Sequence, residues 1–319
     1  MMGRIAGARP DREGWRRGGT VLSGGAINLP HAFPGGKEEG MPMDPKALSQ
    51  FDLTGRVSLV TGGPGLLGRQ FCRTLASAGS AVVIVDIDGP KTAALAEEME
   101  KEGHRVLGSK TDITDPASVR SMVQTVLNKF GRLDILVNSA ALDPKFDPAA
   151  LAGQATPLGS FEFYPVESWR RALDVNLTGM FLCCQTAVRP MLDQGRGVII
   201  NICSTYGLVG PDQRLYQRQG QPTSYKPVYY SVTKAGVLGL TRYLATYYAG
   251  RNIRVNALTP GGVFHGHEPE FLKAYSARTV LGRMAEPGEM NGALLFLASD
   301  ASSYMTGANL VVDGGWTAW

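Results

Sequence analysis

Short apolar runs alternate with longer amphipathic stretches from about residue 50 to the end of the chain. The runs are rich in β-branched residues and are bounded by glycine, which is typical of buried strands. They predict seven strands, at 56–61, 81–86, 104–110, 133–138, 197–202, 253–258 and 309–313. The stretches between them predict helices near 66–78, 90–101, 116–130, 167–192, 229–249 and 288–299. Apolar strands separated by helices predict an α/β fold with a doubly wound, seven-stranded parallel sheet, which binds ligands at the carboxyl ends of its strands.

The N-terminal segment has a different composition. Residues 1–40 contain ten glycines and three prolines and show neither a helical nor a strand period. Such a segment buries too little apolar surface to offset the entropy of ordering, so residues 1–48 are predicted to be a disordered tail. Two other interpretations stay open: a transit peptide, which four acidic residues argue against, and a start codon placed upstream of a true initiator at Met41 or Met43.

Composition and charge restrict the function classes. The chain has 319 residues, of which 44% are hydrophobic and 19% charged, enough for a large core. The net charge of +4 is spread along the chain without a basic run, which argues against nucleic-acid binding. Four cysteines without CxxC spacing argue against a disulfide framework and against a metal site. Without an apolar run of about 18 residues or a secretory signal, we expect a cytoplasmic protein with no membrane span.

A glycine-rich turn follows the first predicted strand. The segment TGGPGLLGRQF at 61–71 places Gly63, Gly65 and Gly68 at the spacing of a dinucleotide-binding turn. Glycine lets the backbone approach a pyrophosphate, whose charge is then stabilised by the following helix N-terminus. The alternative is a strand-to-helix turn without a ligand, but the preceding strand, the following helix and a later acidic residue favour the nucleotide.

That acidic residue is Asp86, which lies 21 positions after Gly65 at the end of the second predicted strand. A carboxylate there accepts hydrogen bonds from the hydroxyls of an adenosine ribose and repels a 2′-phosphate. The next residues, Ile87 and Asp88, include no arginine for such a phosphate. The pattern therefore favours NAD over NADP, against the alternative of a solvated loop aspartate.

A tyrosine and a lysine stand four positions apart in VYYSVTKAG at 228–236. Residues at this spacing share a helix face, so Tyr230 and Lys234 are predicted to lie together, whereas Tyr229 points elsewhere and packs. A phenol needs a nearby cation to act as a base at neutral pH, because its ordinary pKa is about 10. The pair alone is weak evidence, since chance alone produces this spacing in some chains of this composition.

Several further motifs occur in a fixed order along residues 50–319. They are Asp112 in TDIT, NSAA at 138–141, VNLTG around Asn176, NICS ending at Ser204, PGG at 260–262 and VDGGW at 312–316. With the glycine turn and YSVTK at 230–234, the chain resembles the short-chain dehydrogenase/reductases. The resemblance implies a single Rossmann-like catalytic domain at 49–319 that binds NAD.

The resemblance also implies roles for individual residues. Tyr230 would exchange a proton with the substrate oxygen, Ser204 would hydrogen-bond that oxygen, and Lys234 would lower the pKa of Tyr230 and hold the nicotinamide ribose. Asn176 would anchor a water that links Lys234 to solvent. The predicted cofactor contacts are Gly62, Gly65, Leu67, Gly68, Asp86, Asp112, Ile113, Asn138, Tyr230, Lys234, Pro260 and Val263.

Three departures from the family pattern affect these contacts. Leu66 stands where the family commonly has glycine, which leaves open which glycine approaches the phosphates. NSAA replaces NNAG but keeps the first asparagine. The usual threonine after PGG is absent, so the backbone of Val263 is predicted to meet the nicotinamide carboxamide.

Two long loops are predicted to shape the substrate site. Ser204 and Tyr230 are 26 positions apart, about twice the family spacing, and residues 142–165 form a second long segment. The insertion before Tyr230 is polar, with Arg214, Arg218 and Lys226. A hydroxyl-rich substrate, with a phosphate or a carboxylate as an option, would suit Lys145, Gln213, Arg214, His265 and His267. For the two histidines, solvent-facing loop positions are the alternative. These insertions and the C-terminal motif resemble oxidoreductases of flagellin-glycan and nonulosonic-acid sugar pathways. The alternative is that the loops make oligomer contacts.

The leading hypothesis is an NAD-dependent oxidoreductase acting on a secondary alcohol or ketone, on a sugar or sugar derivative. A dehydratase or epimerase with tightly bound NAD, and a non-catalytic NAD-sensing subunit, are the alternatives. Family analogy predicts a homodimer or homotetramer, with Phe181, Tyr243 and Tyr247 as candidate contacts. The only other expected partner is a small-molecule substrate.

Overall fold

The computed structural model describes residues 44–143, 159–217 and 223–319. Residues 1–43 of the predicted tail lie outside the described residues, and its predicted boundary at 48 falls within a short helix, Pro45–Ser49. Asp44 caps this helix by accepting a hydrogen bond from the Lys46 amide. Neither the tail nor the boundary of the catalytic domain is tested here, and both stay predictions.

The described residues contain one seven-stranded sheet. Its strands are β1 Val57–Thr61, β2 Ala81–Asp86, β3 Val106–Lys110, β4 Ile135–Asn138, β5 Gly197–Ile202, β6 Ile253–Pro260 and β7 Asn309–Val312. Their order is β3-β2-β1-β4-β5-β6-β7, and every neighbouring pair is parallel. The predicted fold class is confirmed, and each strand lies within two residues of its predicted bounds.

Helices cover both faces of the sheet. After the short α1 at Pro45–Ser49, they are α2 Leu66–Ser77, α3 Gly89–Lys101, α4 Pro116–Phe130, α5 Val166–Leu173, α6 Met180–Asp193, α7 Val228–Tyr247, α8 Pro269–Ser276 and α9 Asn291–Ala298. Helices α4, α6 and α7 share one apolar core with the sheet, and α2, α3 and α9 share the other. Strands β1, β2 and β5 are buried on both faces, which explains why their sequences are nearly continuous apolar runs, whereas the edge strands β3 and β7 are partly exposed.

One predicted helix is interrupted. The helix predicted at 167–192 consists of α5 and α6 separated by a π-helical segment, Asp174–Gly179. The apolar pattern continues through the segment, so the sequence does not reveal it. The segment matters because Asn176 lies within it, and π-helical turns often occur at functional sites.

Strand order determines where a ligand can bind. The chain moves outward from β1 to β3 and then returns to place β4 beside β1, so the direction of winding reverses between these two strands. The loops after β1 and β4 therefore separate and leave a crevice at their carboxyl ends. Thr61 joins the two loops, since its hydroxyl accepts hydrogen bonds from the amides of Ser139 and Ala140, each at 3.1 Å.

Candidate active site

A cavity of about 520 Å³ lies at the carboxyl ends of the strands. Its lining includes the glycine turn at one end and Ser204, Tyr230 and Lys234 at the other. The predicted cofactor residues in its wall are Gly62, Gly65, Leu67, Gly68, Asp86, Asp112, Ile113, Pro260 and Val263. The fold thus brings residues that are far apart in sequence to one continuous cavity.

The turn between β1 and α2 depends on glycine at two positions. Gly62 has a φ of +68°, and a Cβ there would lie 2.8 Å from the Cα of Ala140. A Cβ on Gly68 would lie only 2.0 Å from the Gly62 carbonyl oxygen. Helix α2 begins at Leu66, and no side chain caps its N-terminus. Its first amides therefore remain for an anion in the cavity.

Two acidic residues line the other side of this end. Asp86 ends β2, and its Oδ1 accepts a hydrogen bond from the Asp88 amide at 2.9 Å. Asp112 is held by Thr114, whose amide and hydroxyl both donate to its Oδ1. The neighbouring Ile113 is buried against the π-helical segment at Gly179. This end therefore combines two carboxylates with an apolar surface at Ile113.

The predicted catalytic residues lie together. Ser204 follows β5, and its hydroxyl lies close enough to the phenol of Tyr230, near the start of α7, to lower the pKa of that phenol. The Lys234 ammonium lies 5.9 Å from the centroid of the Tyr230 ring and donates a 2.9 Å hydrogen bond to the Ile202 carbonyl. Tyr229 instead is buried and packs against Tyr164 with ring centroids 6.0 Å apart. The two adjacent tyrosines thus have the different environments that helical spacing predicts.

The electrostatics of Tyr230 differ from the sequence-based expectation. Burial raises the pKa of its phenol, and the Asp143 carboxylate raises this pKa further, whereas the nearby Ser204 hydroxyl lowers it. Burial also lowers the pKa of Lys234. The expectation that a close cation and the positive nicotinamide ring together would lower the phenol pKa did not include the cost of burying a phenolate. In this environment the protein holds Tyr230 as a neutral acid.

Asn176 joins three parts of the site. Its Oδ1 accepts a 2.7 Å hydrogen bond from the Leu142 amide, and its Nδ2 donates to the Leu142 carbonyl and to Thr233 on α7. The side chain therefore links the loop after β4 to the helix that carries Tyr230. Its predicted role as the anchor of a water stays a prediction.

Asn138 lies at the end of β4 and connects it to β5. Its Nδ2 donates to Asn201 at 2.9 Å and to the Cys184 sulfur at 3.1 Å, and Asn201 donates onward to Thr241. Its Oδ1 is buried without a hydrogen-bond partner among the described residues. Asn138 is not part of the cavity wall, so its place agrees with sheet stabilisation rather than direct cofactor contact.

The segment after β6 closes the cavity. Val263 forms a bridge with Ala285, and the two hydrogen bonds of that bridge use the Gly262 carbonyl and the Phe264 amide. Neither bond uses the backbone of Val263, which the sequence analysis assigned to a carboxamide. Gly262 is further held by its amide, which donates to the Tyr275 hydroxyl at 2.7 Å.

The polar residues predicted to suit the substrate separate into two groups. His265 and His267 line the cavity, as does Lys226 of the polar insertion. Gln213 and Arg214 do not: Gln213 binds the Lys226 backbone, and Arg214 forms an ion pair with Asp212 at the surface. Lys145 and Arg218 lie outside the described residues.

Sequence reasoning missed several residues at the catalytic end. Asp143 lines the cavity and pairs with Lys226, and an aromatic wall faces them. That wall consists of Tyr206, Tyr216, Phe271 and Tyr275 with Met284. The position of Asp143 directly after the NSAA motif, at the carboxyl edge of β4, was the available signal. No sequence signal marked the aromatic wall, and helix α8, which carries Phe271 and Tyr275, was not predicted.

Neither metal ligands nor reactive thiols add to this site. Within residues 44–143, 159–217 and 223–319, no group of three or more histidine, cysteine or acidic side chains is arranged to hold a metal ion. All four cysteines are free and buried. In the same ranges, no helix is both long and apolar enough to cross a bilayer.

Comparison with known proteins identifies the family. Residues 66–317 match the family described as enoyl-(acyl carrier protein) reductase. The cis-4-hydroxycyclohexanecarboxylate dehydrogenase of Sinomonas cyclohexanicum is 39% identical over 268 residues, which cover 82% of this chain and 97% of the relative. The chain belongs to the short-chain dehydrogenase/reductase family.

Two further short-chain dehydrogenase/reductases resemble the chain over most of its length. The 3-alpha-(or 20-beta)-hydroxysteroid dehydrogenase of Mycobacterium bovis is 37% identical, over 83% of this chain and 91% of the relative. A gluconate 5-dehydrogenase from Burkholderia cenocepacia, solved with NADP and tartrate, superposes with a TM-score of 0.74 at 32% identity, over 86% of this chain and 99% of the other. The finer resemblance to flagellin-glycan and nonulosonic-acid enzymes is not confirmed.

Proposed function

We propose that the protein is an NAD-dependent dehydrogenase that transfers hydride between nicotinamide and the carbinol carbon of a cyclic or polyhydroxylated secondary alcohol. The observation that carries this proposal is the cluster of Ser204, Tyr230 and Lys234 in the same cavity as the glycine turn. The named relatives act on cyclohexane, steroid and gluconate hydroxyls, which supports a secondary alcohol as substrate.

The residues present fit a dinucleotide. The uncapped N-terminus of α2 suits a pyrophosphate, Asp86 suits a ribose, and the apolar surface of Ile113 suits an adenine. Lys234 and the backbone of Val263 would hold the nicotinamide end. When bound, the cofactor supplies the hydride acceptor for oxidation and the hydride donor for reduction.

The protein's own groups handle the proton. In oxidation, the ionised form of Tyr230 takes the proton of the substrate hydroxyl at its phenolic oxygen as the hydride leaves the carbinol carbon; in reduction, the neutral phenol gives its proton to the carbonyl oxygen. The Ser204 hydroxyl is placed to donate a hydrogen bond to the same oxygen. The buried Lys234 ammonium favours the phenolate once the proton has moved.

Asp86 supports NAD over NADP. Its carboxylate would repel a 2′-phosphate, and neither Ile87 nor Asp88 supplies a cation for one. The Burkholderia neighbour is solved with NADP, so the preference is a proposal for this chain alone. We expect a higher kcat/KM with NAD+ than with NADP+ for the same alcohol.

A matched pair of tyrosine variants tests the function. In Tyr230→Phe, we expect the reduction of NAD+ by cyclic alcohols or polyols to fall by about 10²- to 10⁴-fold, because the group that accepts the proton is lost. Tyr229→Phe is the control, since this neighbour packs against Tyr164. The measurement is cofactor absorbance with both NAD+ and NADP+. Equal rates in wild type and Tyr230→Phe would reject the mechanism, and product formation without net NADH would select a dehydratase or epimerase.

A further inference from the structure

A second lysine lies at the catalytic end of the cavity. The Lys226 ammonium is 4.1 Å from the centroid of the Tyr230 ring, and 10% of its side chain is exposed. Its side chain donates one hydrogen bond, at 2.6 Å, to Oδ1 of Asp143. An ammonium has three donors, and Asp143 takes one of them among the described residues, so two are available to a group in the cavity that Lys226 lines. Lys226 is thus a nearly buried cation beside the proposed proton-transfer group.

The backbone holds Lys226 in a fixed position. Its amide donates to Gln213 Oε1 at 2.9 Å, and Gln213 Nε2 donates back to the Lys226 carbonyl at 3.2 Å. Pro227 follows and occupies the cap position of α7. Gln213 and Lys226 both belong to the long insertion between Ser204 and Tyr230. The insertion therefore places one preorganised cation beside Tyr230, as a specificity contact requires.

The charges at this end favour an anion. Lys226 and Lys234 contribute two positive charges, and Asp143 contributes one negative charge. Of the two histidines in the wall, His267 is kept neutral because burial and His265 lower its pKa. The opposite wall of Tyr206, Tyr216, Phe271 and Tyr275 is apolar. A ligand with an apolar carbon skeleton and one negative group would therefore match both the cationic side and the aromatic side of the cavity.

We propose that Lys226 binds the carboxylate of a hydroxy acid whose carbon skeleton packs on the aromatic wall, and that Asp143 occupies this place until the substrate displaces it. This inference rests on the proposed function, because the hydroxyl of the same molecule must reach Tyr230. Displacing Asp143 is inexpensive, since its side chain is 62% exposed and returns to water. We favour a carboxylate over a phosphate as the ligand because the Lys226 ammonium already pairs with a single carboxylate, that of Asp143.

Binding measurements test the contact without turnover. Calorimetry with NAD+ present would compare cyclohexanecarboxylate with cyclohexanecarboxamide, which has the same shape and no charge. We expect wild type to bind the carboxylate about tenfold or more tightly than the amide, since charge-assisted hydrogen bonds are the stronger class. Lys226→Met should abolish this preference, whereas Lys273→Met, which removes an exposed lysine of α8, should retain it. Equal preference in wild type and Lys226→Met would overturn the proposal.

Substitution of Asp143 should change the affinity for the carboxylate in the opposite direction to Lys226→Met. Asp143→Asn removes the competing carboxylate, so we expect cyclohexanecarboxylate to bind severalfold more tightly than to wild type. A weaker affinity in Asp143→Asn would show that Asp143 supports the ligand rather than competes with it, and would overturn the displacement.

Turnover separates this inference from the proposed function. For cis-4-hydroxycyclohexanecarboxylate, Lys226→Met should raise KM about tenfold or more with little change in kcat, whereas 4-methylcyclohexanol should be affected less than about twofold. An equal loss of kcat on both substrates would assign Lys226 to tuning of Tyr230 and would overturn the proposal. If wild type oxidises neither alcohol, the proposed function fails, and the calorimetric preference still decides the role of Lys226.

Discussion

Ser204 lowers the pKa of the neighbouring Tyr230 phenol. Burial and the Asp143 carboxylate raise the pKa of the phenol, and the Ser204 hydroxyl is the described group that acts most strongly against them. Because Tyr230 accepts a proton in oxidation, kcat/KM for oxidation should rise with pH as the phenol ionises. The reverse reaction needs the protonated phenol, so its kcat/KM should fall over the same interval.

Ser204→Ala tests this balance. Without the Ser204 hydroxyl, which lowers the pKa of Tyr230, that pKa should rise. The rise of kcat/KM for oxidation and its fall for reduction should then both move to higher pH. The activity at neutral pH should also fall by about tenfold or more, since the substrate oxygen loses a donor. The measurement is kcat/KM against pH in both directions. Ser231→Ala is the control, since that buried hydroxyl has no hydrogen-bond partner in the described residues; superimposable profiles for wild type and Ser204→Ala would contradict the argument.

At the same scale, sequence reasoning located Ser204, Tyr230 and Lys234 because short motifs mark them. It did not foresee the ion pair of Lys226 with Asp143, which are 83 positions apart and meet only through the tertiary fold. Nor did it include the burial and the Asp143 carboxylate that raise the pKa of Tyr230 in the protein alone, since these depend on neighbours from several elements.

The turn between β1 and α2 gives a prediction at the level of elements. In Gly68→Ala, the new Cβ would lie 2.0 Å from the Gly62 carbonyl oxygen, so α2 must move away from the turn. We expect a stability loss of about 1–3 kcal/mol, as for overpacking in general, together with weaker NAD+ binding. Thermal unfolding and NAD+ titration provide the measurements.

A second glycine provides the control for that variant. Gly292 lies in α9, where a Cβ would meet nothing within 4 Å. Gly292→Ala should therefore raise stability by up to about 1 kcal/mol through the lower entropy of the unfolded chain, without changing NAD+ affinity. If both variants shift stability equally, close packing at Gly68 is not the cause.

The elements themselves show what periodicity can predict. The bounds of β2 and β5 agree with the prediction because each is a short, mainly apolar run that begins directly after a polar residue, Ser80 or Arg196. The interruption at Asp174–Gly179 escaped prediction, since a π-helical turn shifts the helix face without altering composition. Helix α8, only eight residues long, lacks the repeated period on which helix prediction depends.

At the scale of the whole molecule, an exposed aromatic pair marks a candidate subunit interface. Tyr243 and Tyr247 on α7 are 61% and 66% exposed, and their rings stack with centroids 5.7 Å apart. Phe181 on the neighbouring helix α6 is also exposed. Aromatic residues at this exposure are typical of protein contacts rather than of free surface.

A double charge substitution tests this interface. Tyr243→Glu with Tyr247→Glu should convert the predicted homodimer or homotetramer to a smaller species, because two carboxylates cannot be buried unpaired against a second copy. Sedimentation velocity measures the mass. Leu48→Glu, at an exposed position of α1, is the control and should keep the wild-type mass. A monomeric wild type, or an unchanged mass in the double variant, would show that Tyr243 and Tyr247 do not lie in a subunit interface.

The burial of all four thiols has a practical consequence. Burial raises the pKa of Cys72 and Cys184 to about 12 and that of Cys183 in the same direction, so these thiols are protonated and shielded in the folded chain. Alkylating reagents attack the thiolate. Labelling of these thiols by such a reagent therefore requires the packed core to open transiently. The labelling rate then measures how often the helices separate from each face of the sheet, without an introduced cysteine.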